Sequence, residues 1–168
     1  MTVRDFLFRL DQGSVVARLT GVEASFLRDA VEILEGLGTP EEDPGAARLH
    51  PPVYLGDPEA DTEWRRLAGG ELRTSRRADR SSFQLVLDAV EEGGASGSDT
   101  GETTISLLEA AAFLRVVNEV RLVLAARWGI DTAEDFEDLR PEADDVLTFL
   151  GWIVTELAEV LGDALDSD

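Results

Sequence analysis

The stretch Ser106–Gly129, SLLEAAAFLRVVNEVRLVLAARWG, decides the fold. Ser106 followed three residues on by Glu109 is a capping box, in which each side chain satisfies a backbone amide of the other. Gly129 supplies the stop. Between them, from Leu107 to Trp128, apolar residues occupy most faces, so this segment is predicted to be a helix at the centre of the molecule. It is too interrupted to span a membrane, because Arg115, Glu119, Arg121 and Arg127 cut the apolar run.

The rest arranges itself around that helix. Two short β-prone runs, 3–10 and 14–19, flank Asp11-Gln12-Gly13-Ser14 and predict a hairpin, with Val15, Ala17 and Leu19 alternating inward. Thr20 with Glu23 forms another capping box. Val22, Phe26, Ala30, Ile33, Leu34 and Leu37 follow at helical spacing up to Gly38. Residues 39–56 read as a Pro- and Gly-rich loop that the pair Pro51-Pro52 holds extended across the helical body. Asp57-Pro58-Glu59 opens a helix carrying Trp64 and Leu67 that is predicted to end at Gly69-Gly70. A further helix runs from about Glu71 to Val90. A flexible loop follows over 91–103, and Thr104-Ile105 offers a third short strand. The last helix, Pro141 to Leu161, presents Val146, Leu150, Ile153, Leu157 and Leu161 as one stripe, and 162–168 reads as a frayed tail. The expectation is a mainly α fold: a bundle of about five helices with a small N-terminal antiparallel β-hairpin, forming a single domain over 1–168.

Composition restricts the chemistry. The 168 residues include 15 basic residues, all arginine, against 35 acids, for a net charge of -20, with one histidine, His50, and no cysteine or lysine. Disulfides, thiolate metal sites, Schiff bases, P-loop lysines and multi-histidine zinc sites are therefore excluded within this chain. The acidic balance argues against direct nucleic-acid binding, and no short-turn helix pair carries a basic second helix apart from 71–80. The opening MTVRDFLFRLDQGS lacks the uninterrupted apolar core of a signal peptide, and a cytoplasmic location is expected. Charge is uneven: six arginines, Arg65, Arg66, Arg73, Arg76, Arg77 and Arg80, fall in sixteen positions. They suit an acidic partner or a phosphate, or equally the basic outer face of an amphipathic helix paired with the chain's own acids.

Few motifs carry chemistry. Asp99-Thr100-Gly101 matches the aspartic-protease triplet but sits in a Gly/Ser stretch without apolar flanks, so chance is the better reading. The acids Asp131, Glu134, Asp135, Glu137 and Asp138 lack the glycine and spacing of a calcium loop and read as solvated. Asn118 and Arg121 interrupt the apolar helix one turn apart, and buried polar groups need partners. The 48–59 segment is the natural one, which makes the pair a structural anchor. A small-ligand-binding or enzymatic helical bundle, with its site where Tyr54, Asn118 and Arg121 converge, is the alternative. His50 beside two prolines is read as an ordinary loop residue, and Trp64, Trp128 and Trp152 as core. No catalytic constellation, cofactor or metal site emerges.

Several segments in order resemble an actinobacterial family formerly described as a domain of unknown function, the AosR-like oxidative-stress regulators. They are FLFRLDQGSVVARLTGVEASFLRDAVEIL, ARLHPPVYLGDPEADTEWRRLAGGELR, LLEAAAFLRVVNEVRLVLAARWGI and VLTFLGWIVTELAEVL. The pattern is carried by Arg48, Leu49, Pro51, Tyr54, Asp57, Pro58, Glu59, Ala60, Arg65, Arg66, Leu67, Asn118, Arg121 and Leu122. The resemblance implies a cytoplasmic regulator, often encoded near the Clp adaptor ClpS and sulfur-metabolism genes, acting in oxidative stress with transcription machinery such as a sigma factor. With no cysteine, thiol redox sensing does not carry over. The expected function is thus a non-enzymatic regulatory protein with a protein partner, its interface over 48–66 and Arg65–Arg80. The sequence leaves partner identity and homo-oligomerisation open.

Overall fold

Both predicted capping boxes form. In this computed structural model, which describes residues 6–94, 99–137 and 139–166, the Thr20 hydroxyl accepts from the Glu23 amide at 3.2 Å and the Glu23 carboxylate accepts from the Thr20 amide at 2.8 Å. Ser106 and Glu109 repeat the arrangement. The chain is mainly helical, with five helices and a small three-stranded antiparallel sheet among the described residues. Strands β1 (Phe8–Asp11) and β2 (Ser14–Thr20) form the hairpin, and β3 (Thr100–Ile105) completes the sheet. The order is β1-β2-β3, with Val15 opposite Ile105 and Thr20 opposite Thr100. Gln12 and Gly13 take positive φ values of 49° and 79°, the conformation that a two-residue hairpin turn requires.

The helices are α1 (Gly21–Glu32), α2 (Pro44–Leu49), α3 (Pro58–Gly93), α4 (Leu107–Arg127) and α5 (Pro141–Asp166). The central placement of α4 holds: it packs on α2, α3 and α5, and its Phe113, Val116, Val117, Val120 and Val123 are buried. Its end is a Schellman motif. The Ile130 amide donates to Ala125 and the Gly129 amide to Ala126, with Gly129 at φ 72°. Phe113 contacts Phe83 of α3 and Phe8 of β1, at centroid separations of 4.5 and 5.4 Å. No helix among the described residues is long and apolar enough to cross a membrane.

Although the number of helices agrees, their identities differ. The two helices expected over 57–69 and 71–90 are one, α3, about 54 Å long at 1.5 Å per residue. Glycine ends a helix when it adopts the left-handed cap, and neither Gly69 nor Gly70 does. The fifth helix is α2, inside the expected loop, where Asp43 caps the Gly45 amide at 2.8 Å ahead of Pro44. A Cβ on Gly45 would come within 2.6 Å of Val123, so glycine lets α2 lie directly on α4. Helix α1 stops at Glu32 and not at Gly38. Tight turns from Ile33 to Gly36 keep Leu34 in the core, which is why the helical spacing seems to continue.

The expected loop 91–103 is also largely ordered. Residues 91–93 complete α3, and 100–103 belong to β3, which is longer than the two residues anticipated. Its glycines permit close approach: a Cβ on Gly93 would strike the Glu102 carbonyl, and one on Gly101 the Val90 carbonyl. That packing accounts for Gly101 in the Asp-Thr-Gly triplet. In the expected frayed tail, 162–166 are helical, because Gly162 continues α5. Residues 3–5 of the first run, 95–98 of the loop, Asp138 and 167–168 lie outside the described residues.

Candidate interaction groove

After α2 the chain passes through His50, Pro51 and Pro52, turns at Gly56 (φ 91°) and enters α3. Two prolines hold this strap extended, and α3 supplies its fastenings. Asp57 caps α3 by accepting from the Ala60 amide at 3.0 Å. One turn on, Asp61 is the buried charged residue of the described chain, 8% exposed. Its Oδ1 accepts from the Val53 and Tyr54 amides at 2.6 and 3.4 Å, and its Oδ2 accepts from Arg65 Nε at 2.7 Å. These contacts hold the Asp61 carboxyl below the usual carboxylate range, Arg65 contributing most and the Val53 amide next. Arg65 also donates to the His50 carbonyl at 3.2 Å.

Three turns further along, Arg76 fastens the other end. Its Nη2 donates to the Leu49 carbonyl at 3.1 Å, its Nη1 lies 3.2–3.3 Å from both His50 ring nitrogens, and its Nε meets Glu119 of α4 at 2.9 Å. Burial, then the Arg76 and Arg65 charges, push the His50 pKa below its ordinary value, so the imidazole is neutral at pH 7. His50 is thus part of the fastening, more than an ordinary loop residue.

Between strap and helix lies a groove of about 460 Å³. Leu49, Pro51 and Val53 form one wall, Trp64 and Leu72 the other, with Gly69 between them and Arg65, Arg73 and Arg76 along its length. Trp64 is consequently a groove residue, and Trp152, 50% exposed, is not core either.

The six clustered arginines divide into two groups. Arg65 pairs with Asp61, Arg66 with Glu63 at 2.7 Å, and Arg76 and Arg80 share Glu119, Arg80 at 3.7 Å. Arg73 and Arg77 are exposed and have no ion pair among the described residues. A Cβ on Gly69 would lie 3.4 Å from Arg73 Nη1, so that guanidinium extends over the glycine.

Of the other sequence candidates, Pro51 lines the groove, Pro58 and Glu59 form the first turn of α3, and Tyr54 is 47% exposed. Arg48 reaches Asp131 at 3.9 Å, both side chains half-exposed or more. Asn118 and Arg121 do not hold the strap. Arg121 lies against α5, its Nε 3.6 Å from where a Cβ on Gly151 would sit, and among the described residues neither side chain has a hydrogen bond or ion pair. Tyr54, Asn118 and Arg121 therefore do not converge in the groove. The anchor on α4 is Glu119, beside Asn118. An acid within the apolar run carried the same signal as the Asn/Arg pair, but the sequence did not reveal which polar side chain faced α3. In the acidic run, Asp135 accepts from the Asp131 and Thr132 amides at 2.9 and 2.7 Å, a local turn. No cluster of three metal-ligating side chains occurs among the described residues.

No curated protein and no solved structure matches the chain. The model of one family, described as a domain of unknown function (DUF2017), matches residues 4–161, which takes in the sheet, the strap, the groove helix and the core. On that match, the chain belongs to the DUF2017 family.

Proposed function

We propose that this chain is a non-enzymatic regulatory protein that works by binding another protein through the strap and the exposed part of α3. The carrying observation is Arg73, exposed and unpaired among the described residues at the edge of an apolar groove, with Arg77 likewise exposed and unpaired about one turn further along α3. In a chain of net charge -20, unpaired cations beside apolar surface suit a partner carrying negative charge. The AosR-like resemblance supports a cytoplasmic, actinobacterial setting and a partner in the transcription machinery, such as a sigma factor. The absence of cysteine makes the proposed regulation independent of thiols.

Affinity purification from the native host, with mass spectrometry of the captured proteins, tests the proposal. The Arg73→Glu/Arg77→Glu variant should lose the partner that the wild-type chain retains. Arg76 is left intact in that variant because it fastens the strap. Equal capture by both chains would remove this surface from consideration.

A further inference from the structure

We infer that the groove receives a short segment of the partner protein, one with a large apolar side chain and a carboxylate within a helical turn of it. The inference rests on the interaction reading above and specifies the partner's chemistry.

Shape gives the apolar half. Leu49, Pro51, Val53, Trp64 and Leu72 enclose a space without a protein side chain in it, and Gly69 keeps it open. The strap adds exposed apolar surface: Val53 in the groove wall is 51% exposed, and Leu55, two residues on, 87%. A chain segment several residues long covers such a surface, whereas a small ligand is typically enclosed by its pocket.

Charge gives the other half. Arg65 and Arg76 line the groove but are held by Asp61, Glu119 and the strap carbonyls. Arg73 remains, its guanidinium over Gly69, and a carboxylate is its natural bidentate partner. His50, neutral at pH 7, adds no second cation. Residues 48–80 hold seven arginines and six acids, against the strongly acidic remainder of the chain. With screening over about 8 Å at physiological ionic strength, the favourable field is local, so a short acidic segment gains and a long polyacidic one is repelled.

The test uses the full chain with Trp128→Phe and Trp152→Phe, which leaves Trp64 as the sole tryptophan. Short random peptides displayed on phage are selected on it, and the enriched peptides are synthesised and titrated against Trp64 emission. The enriched sequences should combine a large apolar residue with Asp or Glu within a turn and shift the emission. Arg73→Glu should weaken binding about tenfold or more. Gly69→Leu should abolish it by filling the groove, with helicity retained because leucine is the better helix former.

Basic or consensus-free peptides, a silent Trp64, or unchanged binding by Gly69→Leu would each overturn the inference. So would self-association that Gly69→Leu removes, since Glu134-Asp135-Phe136-Glu137 of a second copy offers similar chemistry. If the native partner is lost from Arg73→Glu/Arg77→Glu but kept by Gly69→Leu, the interaction reading stands and the groove assignment falls.

Discussion

The two ends of α3 are one helix under two kinds of control. Toward its C-terminus, Phe83, Val86, Leu87 and Val90 are buried against α4 and the sheet, all 2% exposed or less. From Pro58 to Ser75, the buried residue is a carboxylate, Asp61, and leucines 67 and 72 face outward. Burial, worth about 25 cal/mol per Å² of apolar surface, fixes the first region. Caps, ion pairs and strap hydrogen bonds fix the second, each individually modest. A surface held in that way keeps apolar side chains and arginines available to a partner without loosening the core.

The comparison is broken most severely from the core side. Phe113→Ala should cost about 3–5 kcal/mol in denaturant unfolding. Leu67→Ala, on the exposed part of α3, should stay within about 0.5 kcal/mol. Gly101→Ala comes next, on the order of 3 kcal/mol, because the added carbon strikes the Val90 carbonyl and must part α3 from β3. Glu119→Gln removes the charge shared by Arg76 and Arg80, at about 1–2 kcal/mol. Its signature is local: proteolysis between His50 and Asp57 should accelerate before the core opens.

Acidification sharpens the contrast further. The His50 pKa is lower in the folded chain than its ordinary 6.5. Below that value the unfolded chain binds the proton more readily, so the His50 contribution, complete above pH 6.5, declines as pH falls through the range below it. The contribution of Asp61, whose pKa is also lowered, persists until pH drops below the ordinary carboxylate value of 3.8. Thermal unfolding between pH 7 and 5 should therefore show a small loss that His50→Gln reduces. Smallest of all, Arg66→Ala should leave the melting temperature unchanged, because its pair with Glu63 is fully exposed to solvent screening.

Signals completed within about four residues were readable from the sequence. The capping boxes at Thr20 and Ser106, the turn at Asp11–Ser14, the Asp57-Pro58 start and the Gly129 stop each use neighbours that the sequence itself places side by side. The periodicity of Ser106–Gly129 likewise identified the central helix. Asp43-Pro44 carried the same start signal as Asp57-Pro58, but α2 is only six residues long and its single buried face shows no repeat.

Tertiary structure decided the rest. Whether Gly69-Gly70 ends a helix, whether Gly93 and Gly101 loosen a loop or bring α3 against β3, and whether an arginine is paired all depend on what lies opposite. Asn118 and Arg121 suggested an anchor, yet Glu119 faces Arg76 because helix packing set the rotation of α4 against α3. The sequence by itself determined where elements begin, what the core helix is and which chemistries are absent. Packing determined which arginines were neutralised, and so left Arg73 unpaired over a glycine beside an apolar groove.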